Sequence, residues 1–515
     1  MRSVAGLARV LVGAVLWALA IAEGGVIYVD DDAPADYDHI QAAIDAAVAG
    51  DEIVVRPGTY YEHIDLHGKA VTVRSTDPLD PAVVESTIID GGAAGTVVTC
   101  RSGEGPDTVL NGLTITNGRH LNFGGGMGIS GRPRVIHCRI IQNVAIGRGA
   151  GVTVATSSAS PLFARCTFAG NVANSNGGGL YIENGMPALV NCTFVGNTAK
   201  QGGGIDVNGG TVTLTNCQFV QNSASTYGGG LHLVSGPSSP VNLTNCVFVG
   251  NRAGLYGGGT ASWGVRSPYY PHVYFVNCTF AGNGAGAGRS VACDSENNNV
   301  TYMLHNSILW DVDAIRCDRA GVYVLDSDVM GLSIPILRVI DADPSFVEAP
   351  DPGPDGEWGT SDDDHGDLHL QPGSPCIDAA RNTDVPADAF DLNGDGDITE
   401  RTPFDLDGHP RFLDDPDTPD AGVPDPPHYP HVVDMGTYEF IPVIPGDFDR
   451  DGDVDPDDFL VFQACVSGPA IPHDGTRTCQ TADFDKDGDV DQSDFGLFQR
   501  CWSGANQPAD PNCGH

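Results

Sequence analysis

GGGLYIENGMPALVNCTFVGN, residues 177–197, decides the fold. Leu180 and Ile182 alternate with Tyr181 and Glu183, and Val190, Cys192 and Phe194 alternate with Asn191 and Thr193. A period of two over short runs marks β-strands, and no apolar stripe of period 3.6 competes with it. The phrase returns as CRIIQN at Cys138, CTFAGN at Cys166, CTFVGN at Cys192, CQFVQN at Cys217, CVFVGN at Cys246 and CTFAGN at Cys278. The cysteines lie 28, 26, 25, 29 and 32 residues apart. Glycine triplets recur at 124–126, 177–179, 202–204, 228–230 and 257–259, with a degenerate copy at 149–151. Such a period belongs to a solenoid of stacked units.

Two or three short strands per coil, in register with the coil above, give an all-β parallel β-helix with coils about 4.8 Å apart. Phe168, Phe194, Phe219, Phe248 and Phe280 then stack in a column headed by Ile140, and the cysteines form a second column two residues back. Free cysteine behaves as a small buried hydrophobe, and neighbours held at the inter-strand distance are poorly placed for a disulfide. The six are therefore read as reduced core thiols. Asn143, Asn171, Asn197, Asn222, Asn251 and Asn283 fall at a corner, where Asn tolerates left-handed backbone and bonds the next turn. The glycines serve a second tight corner.

GGGL or GGGI followed by FxxN at this period resembles the repeats of chlamydial polymorphic outer-membrane proteins and, more broadly, right-handed parallel β-helix proteins of the pectate-lyase type. The resemblance spans roughly residues 26–345. That fold hosts lyases, hydrolases, esterases, adhesins and inert stalks, so it implies architecture and leaves activity open. Upstream, Ile40, Ala43, Ile44 and Ala47 share one face of an amphipathic helix predicted over 40–48. Such a helix would plug the open end of the tube. QAAIDAA…GDEIVV…PGTYYE resembles the N-terminal cap of pectin-acting β-helices, where the segment is structural.

Composition narrows the partners. The 515 residues carry a net charge of −41 and only three lysines, which argues against nucleic acid. Arg2 and Arg9, an apolar run from Val10 to Ile21 and the small-residue site Ala20-Ile21-Ala22 read as a secretory signal over 1–22, with a retained anchor as the alternative. No later stretch approaches a transmembrane segment, so a secreted or cell-surface location is expected. The boundaries read as 23–345 for the β-helix, 346–440 for its Asp/Pro/Gly-rich closing segment, 441–446 for a linker and 447–515 for a last domain.

Outward positions after each triplet form the row Tyr181, Asp206, His232, Ala261, with Glu183, Asn208, Val234 and Trp263 beside it. The longer coil 260–274 adds Tyr269, Tyr270 and Tyr274. Together they are expected to make an open saccharide groove, with Tyr181, Trp263, Tyr269 and Tyr270 contacting substrate. Glu183, Asp206 and His232 are the catalytic candidates; Glu183 and Asp206 would suit a retaining glycosidase if about 5 Å apart. An ordinary mixed polar face is the alternative. No polygalacturonase-like NTD…DD…GHG…RIK or pectinesterase-like QDT…DFIFG series is present, and Lys200 is the only lysine in the repeats. Catalysis stays undecided, with a polysaccharide lyase or glycoside hydrolase as the enzymatic form.

DADPSFVEAP, GDLHLQPGSPCIDAA, FDLDGHPRF and VVDMGTYEF, from Asp341 on, resemble the closing segments of secreted bacterial β-helix proteins. Within them 351–362 and 391–402 hint at calcium loops, with ordinary turns as the alternative. A sharper signal follows. DFDRDGDVDPDD begins at Asp447 and DFDKDGDVDQSD at Asp483, 36 residues later. Each offers acids at loop positions 1, 3, 5, 9 and 12 and glycine at 6, the pattern of a calcium loop. Asp447, Asp449, Asp451 and Asp458 are the expected direct ligands, Asp453 binds through its carbonyl and Asp455 through water. Asp483, Asp485, Asp487, Asp494, Asp489 and Asp491 repeat these roles. FLVFQAC and FGLFQRC follow as helices with Phe459, Phe462, Phe495 and Phe498 facing inward.

A duplicated loop plus exit helix resembles the type I dockerin domain rather than a full EF-hand pair, which implies Ca2+ as cofactor and a cohesin-like module as partner. Positions ten and eleven, which contact cohesin in that family, are Pro456-Asp457 and Gln492-Ser493 here instead of a repeated hydroxyl pair. Disulfides are expected, most simply Cys465–Cys479 and Cys501–Cys513. Two readings result: an exported display protein tethered by its tail and contacting polysaccharide, or a polysaccharide-degrading enzyme delivered to an assembly.

Overall fold

The alternation of apolar and polar side chains is satisfied by winding the chain into a tube. In the computed structural model, residues 24–515 are described except 33, 236–239, 265–271, 295–300, 318–320, 333–337, 357, 359–361, 416–417, 426–427, 442–444, 449–452, 474, 506, 508, 510–512 and 514–515. The secretory signal read over 1–22 lies outside the described residues. One coil runs through Leu180–Glu183, Ala188–Val190, Thr193–Val195 and Thr198–Gln201. These four strands belong to sheets I, II, III and IV, with 10, 12, 12 and 7 strands among the described residues, and each pairs in parallel with the coil before and after. The parallel β-helix therefore has four strands in its central coils rather than two or three, because the residues after each corner asparagine also pair.

Register does what the repeat implies. Phe168, Phe194, Phe219, Phe248 and Phe280 are fully buried, with successive ring centroids 4.4, 5.1, 4.5 and 4.5 Å apart and planes within 6° of parallel. Ile140 heads the column opposite Phe168. Cys138, Cys166, Cys192, Cys217, Cys246 and Cys278 are buried free thiols. Desolvation pushes the Cys138 thiol up to about 11, so it stays protonated and inert. Cys293 and Cys317, also register neighbours, do form a disulfide.

The corner asparagines correct one expectation. All six are buried, but none has positive φ; the left-handed residues are the ones before them, such as Gly196 and Gln221, and those before the cysteines, such as Asn191 and Asn216. The six instead form a ladder inside the turn. Asn197 Oδ1 accepts from Asn171 N at 3.1 Å and Asn171 Nδ2 at 3.0 Å, while Asn197 Nδ2 donates to Phe168 O at 2.8 Å. The ladder ends where Asn283 donates to both oxygens of buried Asp311. A buried amide is tolerated only when so paired.

Helix α1 (Ile40–Ala46) caps one end, burying Ile40, Ala43 and Ile44 in the tube's core. Both oxygens of Glu62 accept from its first amides, at 2.8 Å from Ile40 N and 2.9 Å from Gln41 N. Across 346–440 the described residues add no further coil and pack against the side of the tube. Phe346, Leu368, Leu370, Val433 and Met435 bury Val247, Val249, Ala281 and Ile308 of sheet III. Fully buried Arg411 donates to Asn245 Oδ1 at 2.8 Å and Thr437 O at 2.7 Å, and faces Glu439 at 3.3 Å. Among the described residues no helix is long and apolar enough to cross a membrane.

Truncating the centre of the aromatic column measures its worth. Phe219→Ala is expected to lower unfolding stability by about 3–5 kcal/mol and Phe219→Leu by much less, read by denaturant unfolding.

Candidate functional site

The row on sheet I is in register as expected, with Tyr181 opposite Asp206, Asp206 opposite His232 and His232 opposite Ala261. It is not an open groove. Tyr181 is 1% exposed, and Asp206 and His232 are 0% exposed. His232 Nδ1 meets Asp206 Oδ2 at 2.7 Å, Asn176 Nδ2 donates to the same oxygen at 3.0 Å, and no hydrogen bond reaches Asp206 Oδ1 or His232 Nε2.

The roof is the chain entering each glycine triplet. Tyr227 stacks on His232 with centroids 6.0 Å apart, and Arg148 lies 5.2 Å above the Tyr181 ring and donates to its hydroxyl at 2.8 Å. Gly202 and Gly228 have φ near +60°, and a Cβ on either would sit 2.8 Å from the Cβ of Asp206 or His232. Glycine here permits close approach as well as a corner, and that approach shuts the row from solvent. Asp206 and His232 are thus corrected from groove residues to an enclosed pair. Glu183 is half-buried, opposite Asn208 and 3.7 Å from Arg148. The side chain of Trp263 and residues Tyr269 and Tyr270 lie outside the described residues.

An accessible cleft lies instead between sheet III and the closing segment. It has a volume of about 440 Å3 and is lined by Arg165, Asn191, Thr193, Asn216 and Gln218 from the coils and by Leu392, Phe404, Leu406 and Asp407 opposite. From Gln218 a second hollow of about 280 Å3 passes Val220, Val247 and Val249 to His365, His369 and Tyr438. His369 joins the two, with Nε2 3.0 Å from Asp407 Oδ2 and Nδ1 2.5 Å from Asp367 Oδ1. The hydrogen bond to Asp407, with further help from Asp367, pushes the imidazole up to about 9. Protonated at neutral pH with both nitrogens engaged, His369 is a fixed cation that joins two stretches of the closing segment, and it lacks the free lone pair of a general base. Sequence reasoning missed this cleft because its halves are about 200 residues apart in the chain.

The tail carries the other site. Helix α2 (Pro456–Cys465) follows the first loop, helix α3 (Arg477–Ala482) precedes the second, and helix α4 (Gln492–Cys501) follows it. Phe462 and Phe498 are buried with ring centroids 5.1 Å apart, and Phe459 and Phe495 pack partly buried beside them. Cys465–Cys479 and Cys501–Cys513 are closed. The copies interlock: Ser467 N and Gly468 N donate to Val490 O, while Ser503 N and Gly504 N donate to Val454 O. Each loop is thus tied to the segment after the other loop's helix.

Position twelve organises both loops. Buried Asp494 accepts from Phe484 N at 2.7 Å and Asp491 N at 2.8 Å; buried Asp458 accepts from Phe448 N at 2.6 Å and Asp455 N at 2.9 Å. Asp483 accepts from Asp487 N at 3.1 Å and Gly488 N at 2.8 Å, which curls the second loop. Carboxylate oxygens of Asp483, Asp485 and Asp494, of Asp489, Asp491 and Asp494, and of Asp453, Asp455 and Asp458 come within 4.8 Å of one another. Buried Asp489 Oδ1 has no hydrogen-bond partner. These hard oxygen donors fit Ca2+. Asp449 and Asp451 lie outside the described residues. Segments 351–362 and 391–402 bring no such trio together among the described residues.

Comparison with known proteins bears on the tube. Residues 64–251 match the family model described as "Right handed beta helix region". No curated protein matches the chain. Among solved structures it is similar to pectate lyase Pel9A, at 13% identity and TM-score 0.45, over 82% of this chain and 97% of that one. It is also similar to pectin methylesterase from carrot, at 10% identity and TM-score 0.33, over 62% and 89%. The Aspergillus niger pectin methylesterase follows at 14% identity and TM-score 0.34, over 58% and 85%. The winding is that of a right-handed parallel β-helix.

The His369 clamp has a pH signature. Its folded pKa is raised above the unfolded 6.5, so its stabilisation is complete below pH 6.5 and is lost as pH rises through about 9. Thermal unfolding is expected to show this alkaline loss in the parent chain and less of it in His369→Gln.

Proposed function

We propose that this chain is an exported display protein. Its β-helix presents a polar cleft to polysaccharide, and its calcium-loaded, dockerin-like tail docks on a cohesin-like module. The observation that carries the reading is the fully described second loop, where the carboxylates of Asp483, Asp485 and Asp494 converge within 4.8 Å while backbone amides hold Asp494 in place. Ca2+ would supply the positive charge that such crowding calls for and would couple binding to folding of the tail. Asp447, Asp449, Asp451 and Asp458 would hold one ion directly and Asp483, Asp485, Asp487 and Asp494 the other. Asp453 and Asp489 would contribute carbonyls, and Asp455 and Asp491 would act through water.

The cleft over sheet III has the chemistry for sugars. Arg165, Asn191, Asn216 and Gln218 offer donors to hydroxyl and carboxylate groups, with Phe404 as an apolar wall. The enclosure of Asp206 and His232 favours display over catalysis, since a polymer has no route to that pair. Three disulfides among the described residues support an oxidising destination.

Calcium titration of the whole chain by calorimetry is expected to show high-affinity sites in the tail, with Asp494→Asn weakening one of them by roughly tenfold or more. Capture by a panel of immobilised cohesin modules should appear in calcium and vanish in chelator. Equal capture with and without calcium, or none from any module, contradicts docking. On a polysaccharide array, retention lost in Arg165→Ala supports the cleft, and retention unchanged in that variant removes it.

A further inference from the structure

The closing segment holds a second kind of acid cluster, distant in sequence from the tail loops. Asp378 follows the buried run Cys376–Ile377 and is itself 0% exposed. Asp414 and Asp420 lie on the exposed side of the loop that crosses it, and one carboxylate oxygen from each of the three comes within 4.8 Å of the other two.

Proximity of acids alone means little, but Asp378 adds an independent observation. Its Oδ2 accepts from Asp415 N at 3.2 Å, and its Oδ1, equally enclosed, has no hydrogen-bond partner. The main chain brings it there. Ala421 N and Gly422 N donate to Asp378 O at 2.9 Å, and a Cβ on Gly422 would fall 2.0 Å from Ala380 O. A further carboxylate, Asp434, sits behind, accepting from Asp378 N at 2.7 Å. Against these acids stands His431, whose Nδ1 is 3.5 Å from Asp414. A buried carboxylate oxygen with no donor, in a carboxylate that neighbours other carboxylates, is costly unless a cation or donor meets it.

We propose that Asp378, Asp414 and Asp420 bind a calcium ion that ties Asp414 and Asp420 to the buried Asp378 within the closing segment. The donor set is all oxygen, which selects a hard cation over zinc. Calcium–oxygen distances of 2.3–2.6 Å allow ligands on opposite sides of the ion to stand about 5 Å apart, which accommodates the observed spread. Asp378 forms a dry floor, while exposed Asp414 and Asp420 form a rim through which the ion and its remaining waters enter.

The test is calcium stoichiometry on the full chain by equilibrium dialysis with calcium chloride alone. Asp378→Asn and Asp420→Asn are each expected to bind one calcium fewer per chain than the parent. The double variant Asp458→Asn/Asp494→Asn, which disables the tail loops, should keep one ion. Asp420 is exposed, so its substitution leaves the fold intact even if Asp378→Asn fails to fold. Calcium should also protect 411–425 from proteolysis in the parent and not in Asp420→Asn. Stoichiometry and protection in Asp420→Asn equal to the parent overturn the site. Failure of the tail reading looks different: the double variant then binds as much calcium as the parent, while Asp420→Asn still loses one ion.

Discussion

Everything in the tube depends on the inter-strand spacing of a parallel sheet. At about 4.8 Å per coil, each side chain rests on its counterpart above and below, so a residue type that recurs coil after coil must be one that can stack on its own kind. Phenylalanine satisfies this by parallel rings, as the five-ring column shows. Asparagine satisfies it by passing hydrogen bonds along the axis, each Oδ1 accepting two donors from the coil before. The two columns are complementary. One supplies apolar burial, and the other fills the turn without leaving a buried amide unpaired.

The same spacing restricts where function can sit. On sheet I the glycine turns lay the incoming chain across the outward row, so the residues with the most chemical character, Asp206 and His232, become interior. Sheet III has no such roof. The helix Pro81–Ser86 covers one end of it and the closing segment docks farther along, where the imperfect fit leaves the cleft between Arg165 and Asp407. The tail has only a small aromatic core, two disulfides and interlocked loops. In the proposed reading a domain this small, with its acids gathered, would gain order from a bound cation.

The columns were legible from the chain because repetition exposes them: Phe219 and Cys217 were placed in the core by spacing alone. So were the tail's two disulfides and the helices after its acidic loops, where the spacing is local. What escaped the sequence is non-local or turns on close approach. The left-handed residue was assigned to the corner asparagine when the neighbouring Gly196 and Asn191 take it, because the repeat fixes position but not dihedral. Tyr181 was read as exposed because alternation separates inside from outside and says nothing of a roof laid by Arg148. The Cys293–Cys317 bond departs from the rule that kept the six repeat thiols apart, and spacing held no sign of it. His369 carried no motif; its partner Asp407 is 38 residues away and meets it only after the closing segment folds back.

We propose that the tube is held by its own stacking and the tail by calcium. Amide hydrogen exchange on the whole chain, in calcium and in excess chelator, tests it most directly. The account predicts that amides of the asparagine ladder at 171, 197 and 222 keep their protection in both, while those of 483–501 lose it in chelator. A tail equally protected without calcium, or ladder amides that open together with it, would contradict the account.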